Sequence, residues 1–319
     1  MSKKVGLIVA GVCVAVGAAV IGGALVSVNG DFTKLGTSSF QTKEYEITKE
    51  FTNISIDTVM ADIHFMLSND GKTKVVCFER ESMSHSVSVD AGTLKIVGTD
   101  ERKWYEYIGI FGEDTITVYL PEVEYGALTV EADTSDVDIP APFRFTGLDI
   151  SVSTGDIDCD ASVLGGVKIK TTTGDIELER MSAGSIELAV STGEIHLEEV
   201  TSAGELKFTV TTGEAELENV TCKTLYTKGS TGDIELKRVS VAETMTIVRS
   251  TGDVRLDRCD GAELSIRTRT GDIRGTLLTD KTFSYHTETG RVQIPKDTSG
   301  GRCELTTTTG DIRIEIVNR

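Results

Sequence analysis

Apolar residues follow two patterns in this chain. From Val5 to Val28 the sequence is uncharged and built of Val, Ala, Gly, Ile and Leu, with Cys13 and Ser27 as the exceptions. As a helix, this run spans about 36 Å at about 1.5 Å per residue, enough to cross a hydrocarbon core of about 30 Å. From about residue 135 onward, apolar and polar residues alternate instead. Strict alternation marks a half-buried strand.

The alternation is organised around a repeated tripeptide, Thr-Gly-Asp or Thr-Gly-Glu, centred on Gly155, Gly174, Gly193, Gly213, Gly232, Gly252, Gly271 and Gly310. Gly290 keeps the place but is followed by Arg291, and Ser135 is a degenerate first member. Successive centres are 19 or 20 residues apart. Counting from each Gly, position +2 is Ile157, Ile176, Ile195, Ala215, Ile234, Val254, Ile273, Val292 and Ile312, and position +4 is mostly Leu or Ile. Apolar pairs recur at −7 and −5, such as Ile186 with Leu188 and Leu206 with Phe208. Each unit therefore reads as strand, Thr-Gly-Asp turn, strand, second turn, with the one-residue variation in spacing assigned to the second turn. Like residues at like positions in every unit favour a parallel β-solenoid over an antiparallel meander, because stacked coils place them about 4.8 Å apart. Ten such coils would form a rod about 48 Å long.

The same frame extends upstream. Ile54, Ile56, Thr58, Ala61, Asp62, Ile63 and Phe65 match it, and Val87, Val89, Gly92, Leu94 and Ile96 match it again. Trp104 to Leu120 reads as further strands around a turn at Gly112 and Glu113, with an aromatic cluster of Trp104, Tyr105, Tyr107, Phe111 and Tyr119. The fold class is all-β, a parallel β-solenoid of about 19–20 residues per coil preceded by one N-terminal transmembrane helix. The chain divides into a cytoplasmic stub (1–4), the transmembrane helix (5–28), a linker (29–42), irregular N-terminal β coils (43–134) and regular solenoid repeats (135–319).

Lys3 and Lys4 precede the apolar run and Asp31 is the first charge after it. The positive-inside rule then leaves the N-terminus cytoplasmic and the remainder extracytoplasmic, as a single-pass signal-anchor of the cell membrane. Cleavage at the small residues Gly22 and Ala24 stays open. Gly11, Ala15, Ala19 and Gly23 form a small-residue stripe suited to helix pairing.

The Ser-Thr-Gly-Asp-Ile-Glu-Leu units, the entry Ile54-Ser-Ile-Asp-Thr-Val-Met-Ala-Asp-Ile-His64 and the segment Ile116-Thr-Val-Tyr-Leu-Pro121 resemble the uncharacterised "putative adhesin" β-strand-repeat family of bacterial envelope proteins, over roughly 45–319. The resemblance implies a β-solenoid on a membrane-bound or exported protein. It supplies no catalytic residues.

Charge narrows the function classes. With 50 acidic and 32 basic residues the net charge is −18, which argues against nucleic acid as a partner. Residues 249–319 hold 12 basic and 11 acidic residues, so the remainder carries −19. Position +3 changes sign accordingly, from Asp158, Glu177, His196, Glu216 and Glu235 to Arg255, Arg274, Gln293 and Arg313.

Candidate chemistry is sparse. His-Glu-x-x-His, phosphate-loop and Gly-x-Ser-x-Gly motifs are absent from the sequence. The reading is therefore non-enzymatic, with no catalytic residue and no cofactor. The one metal candidate is the +1 carboxylate ladder of Asp156, Asp175, Glu194, Glu214, Asp233, Asp253, Asp272 and Asp311. Stacked about 5 Å apart, these like charges cost on the order of 1–3.5 kcal/mol per pair. Either hydrogen bonds from each residue's own turn or divalent cations would offset that. The Thr residues before each Gly form a second ladder, accounted for by β-propensity and cross-strand contact. Cys159, Cys259 and Cys303 fall on interior positions and read as core.

The chain accordingly reads as an adhesin-like binding or structural protein at the bacterial cell envelope, with a protein or cell-wall partner left open. The alternative is a membrane-tethered scaffold that self-assembles through solenoid ends. It draws on the abrupt finish at Ile312, Ile314 and Ile316, which would leave a last coil without a polar cap.

Overall fold

A computed structural model of the chain describes residues 40–102, 113–296 and 298–317. The transmembrane helix expected over 5–28, with Cys13 and the small-residue stripe, lies outside these residues, as do Trp104, Tyr105, Tyr107 and Phe111. Among the described residues no helix is long and apolar enough to cross a membrane. The regular structure of the described residues is all β, and it stacks into a parallel β-solenoid.

Each regular coil contains a long strand such as Ser182–Thr192 and a short one such as Ile195–Glu198, joined through the Thr-Gly-acid turn. Long strands pair with long and short with short, always parallel. Alternation fixes which side chains enter the core. Ile157, Ile176, Ile195, Ala215, Ile234, Val254, Ile273 and Ile312 form one interior column, each no more than 1% exposed. The turn glycine is obligatory for two reasons. Gly174 holds φ +134°, and an added Cβ would overlap the carbonyl oxygen of Gly155 in the preceding turn.

The one-residue variation in spacing does not sit in the second turn. That turn has constant form, with Arg180, Glu199, Asn219, Arg238 and Arg258 all at φ 48–55°. The extra residue is absorbed by bulges inside the long strands. Ala183 pairs with Ser202 at an offset of 19, whereas Ile186 pairs with Leu206 at 20. A bulge admits one residue without moving the interior columns on either side of it.

Both ends of the rod depart from chain order. The N-terminal region comprises β1 (Phe40–Ile47), β2 (Asn53–Thr58), β3 (Ala61–Leu67), β4 (Thr73–Arg80), β5 (Met83–Asp90), β6 (Thr93–Asp100), β7 (Asp114–Leu120), β8 (Glu124–Thr134) and β9 (Val137–Ile139). The β2/β3 coil lies between the β8/β9 coil and a coil made of β6 and β7. Beyond it the strands reverse: β4 is antiparallel to both β7 and β1, and β5 is antiparallel to β6. The expected second coil at Val87–Ile96 is thus a hairpin, turning at Ala91 (φ 46°) and Gly92 (φ 74°). Two consecutive residues at positive φ give the tight turn that joins antiparallel neighbours, not a solenoid corner.

At the other end, the strands Gly301–Thr309 and Ile312–Ile316 insert between the coil 264–277 and the coil 281–293. The Thr ladder records the order directly, running Thr251, Thr270, Thr309, Thr289. The expectation that Ile312–Ile316 forms the exposed last coil is therefore corrected. Ile312 and Ile314 are fully covered, and Lys281–Thr289 is the terminal long strand.

Candidate functional site: the carboxylate ladder

The turns bring the predicted ladder into one exposed row, and its chemistry differs from a set of self-contained turns. Each Asp carboxylate accepts a hydrogen bond from the backbone N–H of the corresponding residue one coil further along. Asp156 accepts from Asp175 at 2.8 Å, Asp175 from Glu194 at 2.7 Å, and Asp233 from Asp253 at 2.8 Å. Asp253 accepts from Asp272 at 2.9 Å and Asp272 from Asp311 at 2.5 Å. Glu194 and Glu214 make no such bond among the described residues; their extra methylene carries the carboxylate past the amide. Two rungs lie upstream of the set picked from the sequence: Asp62 accepts from Asp136, and Asp136 from Asp156, both at 2.9 Å.

This geometry explains the exception at Gly290. Arg291 donates its N–H to Asp311 at 2.8 Å, and among the described residues no further coil presents an amide from which a carboxylate at 291 would accept. An acid is needed at +1 only where another coil follows. The same rule accounts for the insertion of 301–316. Asp311 both donates to Asp272 and accepts from Arg291, whereas Arg291 in that inner place would break the chain of bonds.

The +3 residues neutralise the ladder's outer oxygens toward the C-terminal end. Arg255 donates to Asp233 at 2.7 Å and to Asp253 at 3.0 Å, and Arg274 pairs with Asp272. Arg313 donates instead to Glu315 at 2.7 Å. Nearer the N-terminal end the short-strand face stays acidic. Partial desolvation against the adjoining coils, followed by repulsion from Asp160, Glu177, Asp138 and Glu179, pushes the Asp158 carboxyl up to about 6. A shallow depression opens where the two Glu residues interrupt the ladder, lined by Glu194, His196, Glu214, Glu216, Asp233 and Arg255 among others.

Beneath that interruption lies a residue the sequence reading missed. Arg249 occupies a core-facing position at −3 and is 3% exposed. Its Nη1 donates to the carbonyl of Val210 at 2.8 Å, two coils away, and Nη2 to that of Gly213 at 3.4 Å, while Nε has no partner. Burial lowers the guanidinium pKa, and the nearby Asp233 charge works against that. Gly229 holds the same position one coil earlier, where a Cβ would overlap Arg249. A charged residue at an interior position, preceded by glycine one coil back, was the available signal.

The described cysteines Cys77, Cys159, Cys222, Cys259 and Cys303 are all buried free thiols. Burial pushes Cys159 and Cys303 up to about 12 and Cys259 to about 11, as expected of packing residues.

Comparison with known proteins agrees with this architecture. No curated protein matches the chain. Among solved structures, a "putative adhesin" from Parabacteroides distasonis ATCC 8503 aligns with a TM-score of 0.50 at 12% identity, covering 87% of this chain and 98% of that one. A "putative adhesin" from Bacteroides fragilis NCTC 9343 aligns at 0.39 and 18% identity, covering 88% and 98%. A "putative lipid binding protein" from Parabacteroides distasonis ATCC 8503 aligns at 0.43 and 13% identity, covering 88% and 98%. The profile of one family, described as Toastrack DUF4097, matches residues 51–214 and 201–319. With nearly the whole solenoid matched, the chain belongs to the Toastrack DUF4097 family.

Proposed function

We propose that this chain is an adhesin-like binding rod of the bacterial cell envelope, tethered through residues 5–28 and displayed outside the membrane. The supporting observation is the unbroken stack of coils: it sets side chains in straight, regularly spaced rows over a rigid support. Such a surface suits recognition of an extended protein or cell-wall partner along its length. The role is binding or structural, not enzymatic. Tyr285 and Arg291 stand exposed at the rod end, but the inward-pointing Lys281, and Pro295 two residues past the short strand Val292–Gln293, blunt that end, which weighs against end-to-end assembly.

The test is protease accessibility of a C-terminal tag on intact and on lysed cells. Digestion on intact cells is the expected result. Protection until lysis would place the rod on the cytoplasmic side and remove the envelope reading.

A further inference from the structure

The N-terminal cap contains three metal-ligand side chains of different chemistry that nothing above has used. Cys77 and Glu79 alternate on β4 and both face inward; His85 reaches the same point from β5 across the short Arg80–Met83 connection. The Cys77 sulfur, a Glu79 carboxylate oxygen and a His85 ring nitrogen all lie within 4.8 Å of one another. Cys77 and Glu79 are completely buried and His85 is 4% exposed.

The imidazole is held from behind. Its Nε2 is 2.9 Å from the hydroxyl of Thr58 on β2, and the backbone of Gly98 packs against the ring so closely that a Cβ there would come within 3.2 Å of Nε2. Nδ1 is thereby aimed at Glu79 Oε2, 2.8 Å away. The same oxygen accepts the backbone N–H of His85 at 2.7 Å. A metal-binding histidine is commonly oriented in this way through its other nitrogen. A cation already lies beside the carboxylate, the Lys43 ammonium 2.7 Å from Oε1. Lys43 is 36% exposed along its side chain, so it can withdraw to solvent and leave a route inward.

We propose that Cys77, Glu79 and His85 form a binding site for a late first-row transition metal, with Zn2+ the best match. One thiolate, one imidazole and one carboxylate make a borderline-soft donor set that suits Zn2+ and is poorly suited to Ca2+ or Mg2+. Thiolate and carboxylate together balance the dication. Binding releases the Cys77 thiol proton to solvent; the neutral imidazole coordinates through Nδ1 with its one proton on Nε2, facing the Thr58 hydroxyl, and water takes the fourth position. The metal joins β4 to β5 and, through Thr58, to β2, so its effect is to lock the cap onto the first coils.

The test uses the purified full-length chain in detergent, stripped of metal and titrated with Co2+ and then Zn2+. One Co2+ per chain with a thiolate-to-cobalt charge-transfer band, displaced by Zn2+, is expected. Cys77→Ser should abolish the band, and His85→Gln should weaken binding by more than the roughly 10–100-fold that outer-shell changes cost. Cys259→Ser, which removes a thiol far from the cap, should leave the band intact. A wild-type chain with no such band, or one whose band survives Cys77→Ser, would overturn the proposal. If the Cys77 variant fails to fold, His85→Gln decides the matter, and an unchanged cobalt affinity in that variant would overturn the proposal.

Discussion

At its N-terminal end the rod turns its strands around, and at its C-terminal end it keeps them parallel and blunts the last one. The N-terminal cap covers the core with β1, β4 and β5 and seals ionic groups beneath them: Glu79 between Lys43 and His85, and Arg80 with Asp114 at 3.1 Å. Among the described residues the C-terminal end has no such cover. Phe283, Val292 and Ile294 are only partly buried there, and Tyr285 is 52% exposed. Its protection against edge pairing comes instead from polar residues: Lys281 points inward onto Asp260 at 2.8 Å, and Arg291 ends the carboxylate ladder. One end is thus finished by topology and the other by chemistry. In each case a coil close to the end of the described chain is tucked one place inside the stack.

The contrast predicts unequal sensitivity to substitution. The largest effect is expected at the sealed end. Glu79→Ala leaves the buried backbone N–H and Nδ1 of His85 without their acceptor, while Lys43 relaxes into solvent, a loss of about 3 kcal/mol in denaturant unfolding. Tyr285→Ser at the open end should cost less than about 1 kcal/mol. Equal losses at the two positions would erase the distinction. Next is the ladder. Asp272→Ala removes a charge-assisted bond to the following coil and should cost about 1.5 kcal/mol. Arg291→Ala, with no coil beyond it, should change stability by no more than about 0.5 kcal/mol.

Removing the blunting should reveal what it prevents. The double change Lys281→Ile and Arg291→Asp makes the terminal coil resemble an interior one. Concentration-dependent self-association in sedimentation velocity is expected for this variant and not for the wild type. The smallest effect concerns Asp158. Its folded-state pKa of about 6 exceeds the ordinary 3.8, so the folded chain holds the proton more tightly than the unfolded one. Stability from this group is therefore full below about pH 4 and declines as pH rises to about 6. Asp158→Asn should raise Tm modestly at pH 7 and leave it unchanged at pH 3.5. A rise of equal size at both values would rule out ionisation as the cause.

Much of this architecture is legible from residue spacing. Ile157, Ile176 and Ile195 disclose the interior column because every coil repeats the same contacts. The N-terminal hairpin was not legible, because Val87, Val89, Leu94 and Ile96 alternate identically in a hairpin and in a solenoid coil. Only the paired positive φ values at Ala91 and Gly92 separate the two. The coil exchange at the C-terminal end was hidden for a related reason, since stacking order leaves no trace in periodicity. Its one mark was Arg291, an acid-ladder exception whose meaning appears only when the following amide is absent. The ladder itself was picked out as a row of acids, but its direction of bonding, and the failure of Glu194 and Glu214 to take part, depend on side-chain reach that spacing does not encode. The cap cluster was harder still. Cys77 and His85 were each visible, but an antiparallel turn that the repeat frame did not anticipate brings them together.

The order of coils is the claim on which the rest depends, because it decides which residues form the C-terminal end. It can be read by disulfide formation between cysteines placed in the exposed Thr ladder, the native described thiols being buried. Thr270 and Thr309 are direct neighbours across the parallel pair, within the Cα separation of about 4.4–6.8 Å that a disulfide tolerates. Thr270 and Thr289 are two strands apart, at about 9.6 Å. Rapid oxidation of the 270/309 double-cysteine variant, with the 270/289 variant remaining reduced, is the expected result. The opposite pattern would show that the coils stack in chain order and that the C-terminal strand is the rod's end.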